Sequence, residues 1–496
     1  MYHIRVVKTA SGASAVQVIY YLNRKRIIFK HVGSAKSEED LATLKTIAKD
    51  IIVNTGLQPS LFGEVKFDNL LYLDQSEFLG VYYTFIYEVL AGIMSQIGLS
   101  KINKQLLLDL VTIRIVEPAS KLRSIELLEK YFGIKHRRQN YNQSAPQWLN
   151  LKEKIENIVV DFAKKNYGFD FDLLFYDVTT LYFETFEEDD LRKNGFSKDN
   201  KSQQPQILIG LMVTKDGFPV AHQIFVGNTF EGKTIIPVVN SFIKKYSIRD
   251  FTVVADAAMI SNSNIQELTK NEINFIVGAR IRNLSDELIE QINTNIIRED
   301  GKSIRIKTGL GYLICSYSTL RYRKDKYEME KQIEKAKSII ETPSKNKNAK
   351  FTKTSGGQTE LNNALIEKTK KLLGVKGYYT NLEESIATDQ TIIARYHELY
   401  KVEQAFRISK HDLQTRPIFH FKEEPIKLHV LICFMALVLS KHIELATGDS
   451  IRKFITECKN ITDARMQNKI THKEIKIRTQ YNQKITEYLQ ALKLSH

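Results

Sequence analysis

Apolar positions along this chain switch between two periods, and each switch marks a change of element. In the first 60 residues, YHIRVV and AVQVIYYL alternate apolar and polar residues as strands do, and NRKRIIFKHVG continues the alternation with basic residues. Ser37 to Val53 has helical spacing. Ser37 is placed to cap that helix, and Glu38, Glu39 and Asp40 occupy the first turn, where the helix dipole favours negative charge. Helical spacing then dominates from Leu79 to Gly133. Pro118 separates two helices there, because proline lacks an amide hydrogen and obstructs the preceding turn, and Ser120 starts the second. The polar stretch Lys135 to Gln147 precedes a further helix over Leu149 to Lys165.

The middle of the chain reads as α/β. Phe171 to Val178 is a buried-strand run, and Gln206 to Thr214 with Pro219 to Val226 forms a hairpin around the turn residues Asp216 and Gly217. A helix over Lys233 to Tyr246, a strand over Phe251 to Ala255, a helix over Asn264 to Lys270 and a strand over Phe275 to Val277 follow. Three strands, helix, strand, helix, strand is the order of an RNase H-like core. A long detour, residues 282–376, opens with the β-like segments SIRIKTG and YLICSYS and has a helix near Tyr327 to Ile340. Its polar stretch SKNKNAKFTKTSGGQTE is a solvated loop or, alternatively, a surface that tracks phosphates. The strand GYYTNL returns the chain to the core. The apolar run Val430 to Leu439 is about half the ~20 residues a membrane span needs and predicts a buried core helix. The expected segments are a small β/α element at 1–60, a mainly helical and candidate DNA-binding region at 61–168, core halves at 169–281 and 377–445 around the detour, and a helical tail at 446–496.

Composition narrows the partners. A chain of 496 residues with 43% hydrophobic and 10% aromatic residues buries two to four cores. A formal charge of +15 and a pI near 9.3 favour a polyanion, nucleic acid first and an anionic membrane surface second, with a merely soluble basic protein as the bland alternative. Cys315, Cys433 and Cys458 are far apart, so neither a zinc site nor a disulfide framework is expected, and a reducing cytoplasm fits. No signal peptide, membrane anchor or small-molecule substrate is expected. His222, His420 and His429 read as core or loop residues rather than ligands, because their spacing offers no metal-binding pair.

The candidate chemistry lies in acidic residues. Asp177 follows LLFY and Asp256 follows TVVA, and an ionised carboxylate after such an apolar run needs a strand end or a partner. In open α/β sheets the ligand crevice lies beyond the carboxyl ends of the strands, where two such aspartates on neighbouring parallel strands converge. Tyr396, Glu403 and Lys410 are seven residues apart, two helical turns with about 20° of drift, so they stack on one helix face. Glu403 would complete a three-carboxylate cluster. Such a cluster needs a neutralising cation, and its oxygen-only donors suit Mg²⁺ or Mn²⁺, two ions that activate an attacking hydroxyl and stabilise a leaving oxygen.

The strings FYDVTTLYFE, VVADAAMIS and Y-x6-E-x6-K resemble the DDE transposases of bacterial insertion sequences, in the IS-four-type superfamily with its Tyr-Arg-Glu-Lys signature, and most of all its sixteen-thirty-four branch. GNTFEGKT, FIVGAR, YSTLRYRKD and RPIFHF…HVLICFMALVLS extend the resemblance from Pro118 to Ser440. It implies that Asp177, Asp256 and Glu403 are the metal-binding triad of an RNase H-like catalytic core, and that residues 282–376 are a mixed β/α insertion subdomain. It also implies that Tyr396 and Lys410 contact DNA phosphates near the cleaved end. The signature arginine is replaced by Leu399, so Arg395 or Arg407 is left to supply that contact, and Ala258 stands where relatives often carry glycine.

The expected function is a cut-and-paste transposase that binds the inverted repeats of its element, cleaves with divalent metal and joins the ends to target DNA. Its partners would be double-stranded DNA and, in the synaptic complex, a second copy of the chain, in a bacterial cytoplasm at the nucleoid. An RNase H-like nuclease without strand transfer, or a non-catalytic DNA-binding descendant of a transposase, are the alternative readings.

Overall fold

The computed structural model describes residues 2–22, 24–55, 76–195, 203–248, 251–257, 261–341, 349–355, 358–469, 472 and 474–495. The chain forms two compact units. One comprises residues 1–91, 125–136 and 452–496, the other residues 92–124 and 137–451.

The N-terminal alternation gives the antiparallel strands β1 (Tyr2–Lys8), β2 (Ser14–Leu22) and β3 (Lys25–Ala35), packed on helix α1 (Glu38–Thr55). The amide of Asp40 donates to Ser37 Oγ at 3.1 Å, so the expected cap forms. Next come strand β4 (Ser76–Tyr82) and helices α2 (Thr84–Ile97), α3 (Gln105–Val116), α4 (Lys121–Phe132), α5 (Arg138–Trp148) and α6 (Lys152–Tyr167). One expectation fails here. Leu79 to Tyr82 is strand rather than helix, because β4 pairs with a strand from the far end of the chain. The polar stretch Lys135 to Gln147 is mostly α5, anchored by the buried Trp148 and the Tyr141 ring packed edge-on against it at 5.9 Å. One aromatic anchor outweighs a weak local propensity.

The larger unit is built on one sheet. Its elements are β5 (Leu173–Tyr182), β6 (Gln206–Thr214), β7 (Pro219–Val226), α7 (Ile235–Tyr246), β8 (Thr252–Ala255), α8 (Asn262–Lys270), β9 (Asn274–Ala279) and α9 (Asp286–Asn295), then β10 (Ser303–Thr308), β11 (Gly311–Tyr317) and α10 (Thr319–Glu341). The hairpin β12 (Thr352–Ser355) and β13 (Gln358–Leu361), α11 (Asn363–Lys371), β14 (Val375–Thr380), α12 (Asp389–His397), α13 (Tyr400–Arg407) and α14 (Glu423–Thr447) complete it. The eight-stranded order is β10-β11-β14-β9-β8-β5-β6-β7. Only β5, β8 and β9 run parallel to their neighbours within this set, and the flanks are antiparallel. Gly217 turns the β6–β7 hairpin at φ +77, a left-handed conformation that glycine adopts without strain.

Two strands from the 282–376 detour thus extend the core sheet, joined to it through β14. The polar stretch expected to be a solvated loop holds the β12–β13 hairpin, while its remainder at 344–348 and 356–357 lies outside the described residues, as does Ala258. Helix α14 contains the apolar run Val430 to Leu439 and is long and apolar enough to cross a membrane, but 72% of its most apolar window is buried against protein. It packs on α3, α5 and β7 as a core helix, apolar on every side.

The tail expected to be helical carries strands as well: α15 (Ile451–Lys459), β15 (Asp463–Asn468), β16 (Glu474–Arg478) and α16 (Gln483–Ala491). β15 lies between β16 and β4. Asp463, fully buried, accepts two bonds from the Arg478 guanidinium at 2.7 and 2.9 Å and one from the Thr84 hydroxyl. A buried carboxylate needs such donors, and here one comes from the neighbouring strand and the other from Thr84, far away in sequence.

Candidate active site

β5 and β8 lie parallel with Tyr176 beside Ala255, so the next residues, Asp177 and Asp256, leave adjacent strands at the same level. This is the convergence the two apolar runs predict. Asp177 is not terminal, however: β5 continues to Tyr182 along β6, whereas β8 stops at Ala255. Both carboxylates are half-buried. Asp177 Oδ1 accepts the amide of Val178 at 2.8 Å and Asp256 Oδ1 that of Ala257 at 2.7 Å. Tyr176 points to the opposite face, where its hydroxyl donates to Thr234 Oγ1 at 2.9 Å.

The heptad Tyr396–Glu403–Lys410 does not lie on one straight helix. α12 ends at His397, and α13 begins at Tyr400. The turn between them is tight, with the amides of Leu399, Lys401 and Val402 bonded to carbonyls three residues back. Leu399 lies at the break, 6% exposed and turned inward. α12 packs on β8, β9 and β14, while α13 packs on β5 and β6, and one straight rod cannot serve both. A π-helical turn, Ile408–Asp412, then widens the helix around Lys410.

Tyr396 is buried, and its hydroxyl donates to Asp256 Oδ1 at 3.0 Å. It is therefore a partner of a carboxylate in this structure rather than a surface group. Burial, then the negative charge of Asp256, raises its pKa well above that of a free tyrosine, so it stays a donor. Glu403 is exposed on α13, and its charge is felt by Tyr396. Arg407 is exposed one turn further on. Lys410 is half-buried and lines a cavity of about 30 Å³ with Phe406, Thr179, His222 and Cys433.

Three positions escape a reading of local pattern. Gly278 on β9 leaves room for Tyr396: a Cβ there would stand 2.5 Å from the phenolic oxygen. Glycine inside the strand run FIVGAR signals such a close approach. Arg305 on β10 binds Asp389 Oδ1 at 2.8 Å and the carbonyls of Leu382 and Ala387 at 3.0 and 2.8 Å, fixing the start of α12 to the sheet edge. Lys376 on β14 stands over the Tyr396 ring, with Nζ 4.6 Å from its centroid. A lysine in the otherwise buried strand VKGYYT is its only local signal.

The donor chemistry suits a hard cation: half-buried or exposed carboxylate oxygens, no sulfur and no imidazole. The expected closing of three carboxylates around one point is not seen, since among the described residues no three of His, Cys, Asp and Glu are gathered closely enough to hold an ion. Asp177 and Asp256, side by side, are the pair most directly placed to hold one. His222 and His429 are buried core residues, and burial pulls both well below the ordinary histidine pKa; His420 is partly buried and pulled to about 4.

A family model described as the transposase DDE domain matches residues 168–439, more than half of the chain. No curated protein matches. Among solved structures the chain is similar to a piggyBac transposase in a synaptic complex with hairpin DNA, at 11% identity and a TM-score of 0.39, over 76% of this chain and 77% of that one.

Proposed function

The chain belongs to the transposases built on a DDE domain, and from that premise we propose that Asp177, Asp256 and Glu403 are the carboxylates with which it cuts and rejoins DNA. The observation that carries this reading is the placement of Asp177 and Asp256 side by side on parallel β5 and β8, with the Glu403-bearing helix packed over β5. Members of this family use divalent metal ions. Here Mg²⁺ or Mn²⁺, two ions, would be held by the three carboxylates, and would supply activation of the attacking hydroxyl and charge neutralisation at the phosphate. The protein's own groups orient the ligands. Val178 and Ala257 amides hold one oxygen of each aspartate, and the Tyr396 hydroxyl fixes Asp256 further.

The reaction proposed is hydrolysis at the ends of the element to expose a 3′-OH, followed by attack of that 3′-OH on a target phosphodiester. The substrate is double-stranded DNA, the terminal inverted repeats and then the target, held by two copies of the chain in the synaptic complex. We assign the chain to the IS-four-type superfamily with an RNase H-like core, on the strength of the motifs around Asp177, Asp256 and Glu403. Arg407 and Lys410 are the proposed phosphate contacts on the catalytic helix. Asp177→Asn, Asp256→Asn and Glu403→Gln are each expected to abolish Mg²⁺-dependent end cleavage while end binding survives. Undiminished cleavage by any one removes that residue from the triad. Incubating pre-cleaved ends with a target plasmid is expected to give joined products, which a nuclease without strand transfer does not form.

A further inference from the structure

The position that would carry the signature arginine holds Leu399, which is buried and cannot face DNA. The cation it would supply is missing from the helix. The sheet offers another. Lys376 projects from β14 on the same side as Tyr378, two residues on, because strand residues alternate in facing. Its ammonium lies 4.6 Å from the Tyr396 ring centroid and 5.5 Å from that of Tyr378. Tyr396 in turn holds Asp256. Lys376 therefore stands one aromatic ring away from a proposed metal ligand.

Its electrostatic surroundings agree with that position. Burial and the neighbouring Arg321 guanidinium pull its pKa below that of a free lysine, while Asp256 and Glu403 both pull it back. Lys376 thus feels two of the three proposed ligands. It forms no ion pair among the described residues, being held only by two ring faces. A half-buried ammonium without a carboxylate partner retains its full capacity for a phosphate oxygen, and aromatic walls keep it aimed without neutralising it. Arg321, from the first turn of α10, is a neighbouring cation, itself paired with Asp325 at 3.4 Å.

We propose that Lys376 contacts a phosphate of the DNA strand being cleaved and supplies from the sheet the positive charge that Leu399 has removed from the helix. The assignment rests on the reading of Asp177, Asp256 and Glu403 as the cleaving carboxylates. It differs from the family's helix-borne cations in coming from a strand, so it is positioned by the sheet and not by the helix break at residues 398–399.

The experiment compares Lys376→Met, which keeps the aliphatic packing on both rings, with Lys376→Arg, which keeps the charge. The substrate is a duplex carrying the terminal sequence that flanks the gene, cleaved in single turnover with Mg²⁺. Lys376→Met is expected to slow cleavage about ten- to hundredfold, the size of one lost hydrogen bond to a charged group, and Lys376→Arg to restore most of it. A second measurement, Mn²⁺ titration of the DNA-free proteins, separates charge from structure. Removing a positive charge beside the carboxylates is expected to tighten Mn²⁺ binding, whereas a disturbed site weakens it. Cleavage by Lys376→Met at the parental rate, an arginine variant as slow as the methionine one, or unchanged Mn²⁺ affinity overturns the proposal. If the triad variants cleave normally, the underlying reading fails instead; if they are inactive while Lys376→Met is fully active, only the lysine assignment falls.

Discussion

Tyr396 and Asp256 are 140 positions apart in the chain, and the hydroxyl of one donates to Oδ1 of the other at 3.0 Å. The bond joins helix α12 to the end of β8, so the orientation of a proposed metal ligand depends on where that helix lies. The ring is buried between Lys376 and Tyr378, whose ring centroid is 4.9 Å away. Tyr396→Phe keeps the packing and removes the donor. Loss of one hydrogen bond to a charged group, about 1.5 kcal/mol, predicts a cleavage rate lowered roughly tenfold with end binding unchanged. Band shifts and single-turnover cleavage check it. A large loss of end binding with normal cleavage at saturating protein would instead make Tyr396 a DNA contact.

Gly278 sets the space for that hydroxyl. A Cβ there would meet the phenolic oxygen at 2.5 Å and Ala257 Cβ at 3.1 Å, so Gly278→Ala is expected to push Tyr396 off Asp256 and destabilise the larger unit by about 1–3 kcal/mol. Combined with Tyr396→Phe, the added methyl loses its main obstruction. The double variant should therefore be less destabilised than the sum of the two single changes, by urea unfolding. Strict additivity would show that the two sites do not communicate.

Leu399 makes a converse prediction. Restoring the signature with Leu399→Arg places a guanidinium at a position 6% exposed, with the backbone turn directing it inward. The expected result is a stability loss of about 3 kcal/mol, read from the urea midpoint, and no gain in end binding. Tighter binding at unchanged stability would mean that the helix break is not fixed by this side chain.

Lys121 contributes a pH dependence of definite sign. Its ammonium is buried without a hydrogen-bond partner, and burial, then Arg114, lowers its pKa to about 7. Its charge also reaches His420 and His429, and the Cys433 thiol is a further neighbour. Between about pH 7 and the pKa of an unfolded lysine, ~10.4, the unfolded chain holds this proton and the folded one does not, so the contribution of Lys121 to stability rises with pH across that window. Below about pH 7 both forms are protonated and the penalty is constant. Lys121→Met is expected to stabilise the fold by a few kcal/mol at pH 7, on the order of the free energy equivalent to such a shift, with the gain fading above pH 10. Equal gains at both pH values would contradict it.

Much of this was legible in the chain itself. A strand-like, mostly apolar run followed by aspartate, twice, singled out Asp177 and Asp256, because a carboxylate after a buried run requires an unusual place in a sheet. The β6–β7 hairpin followed from its Asp-Gly turn, and the buried α14 from a run apolar on every side. Residue identity at the heptad marked Tyr396, Glu403 and Lys410, but not their geometry. Local spacing assumes a continuous helix, and the sheet required α12 and α13 to pack on different strands.

What sequence alone determined was therefore which residue types stand where along the chain, and the short-range elements that their periodicity dictates. What only tertiary structure decided was partnership over long separations. β4 found β15, the detour strands β10 and β11 joined the core sheet, Arg305 tied that edge to α12, and Tyr396 reached Asp256. Periodicity records which face a side chain takes. It carries no record of which distant segment will cover that face, because that choice is made by packing and hydrogen-bond satisfaction across the whole unit.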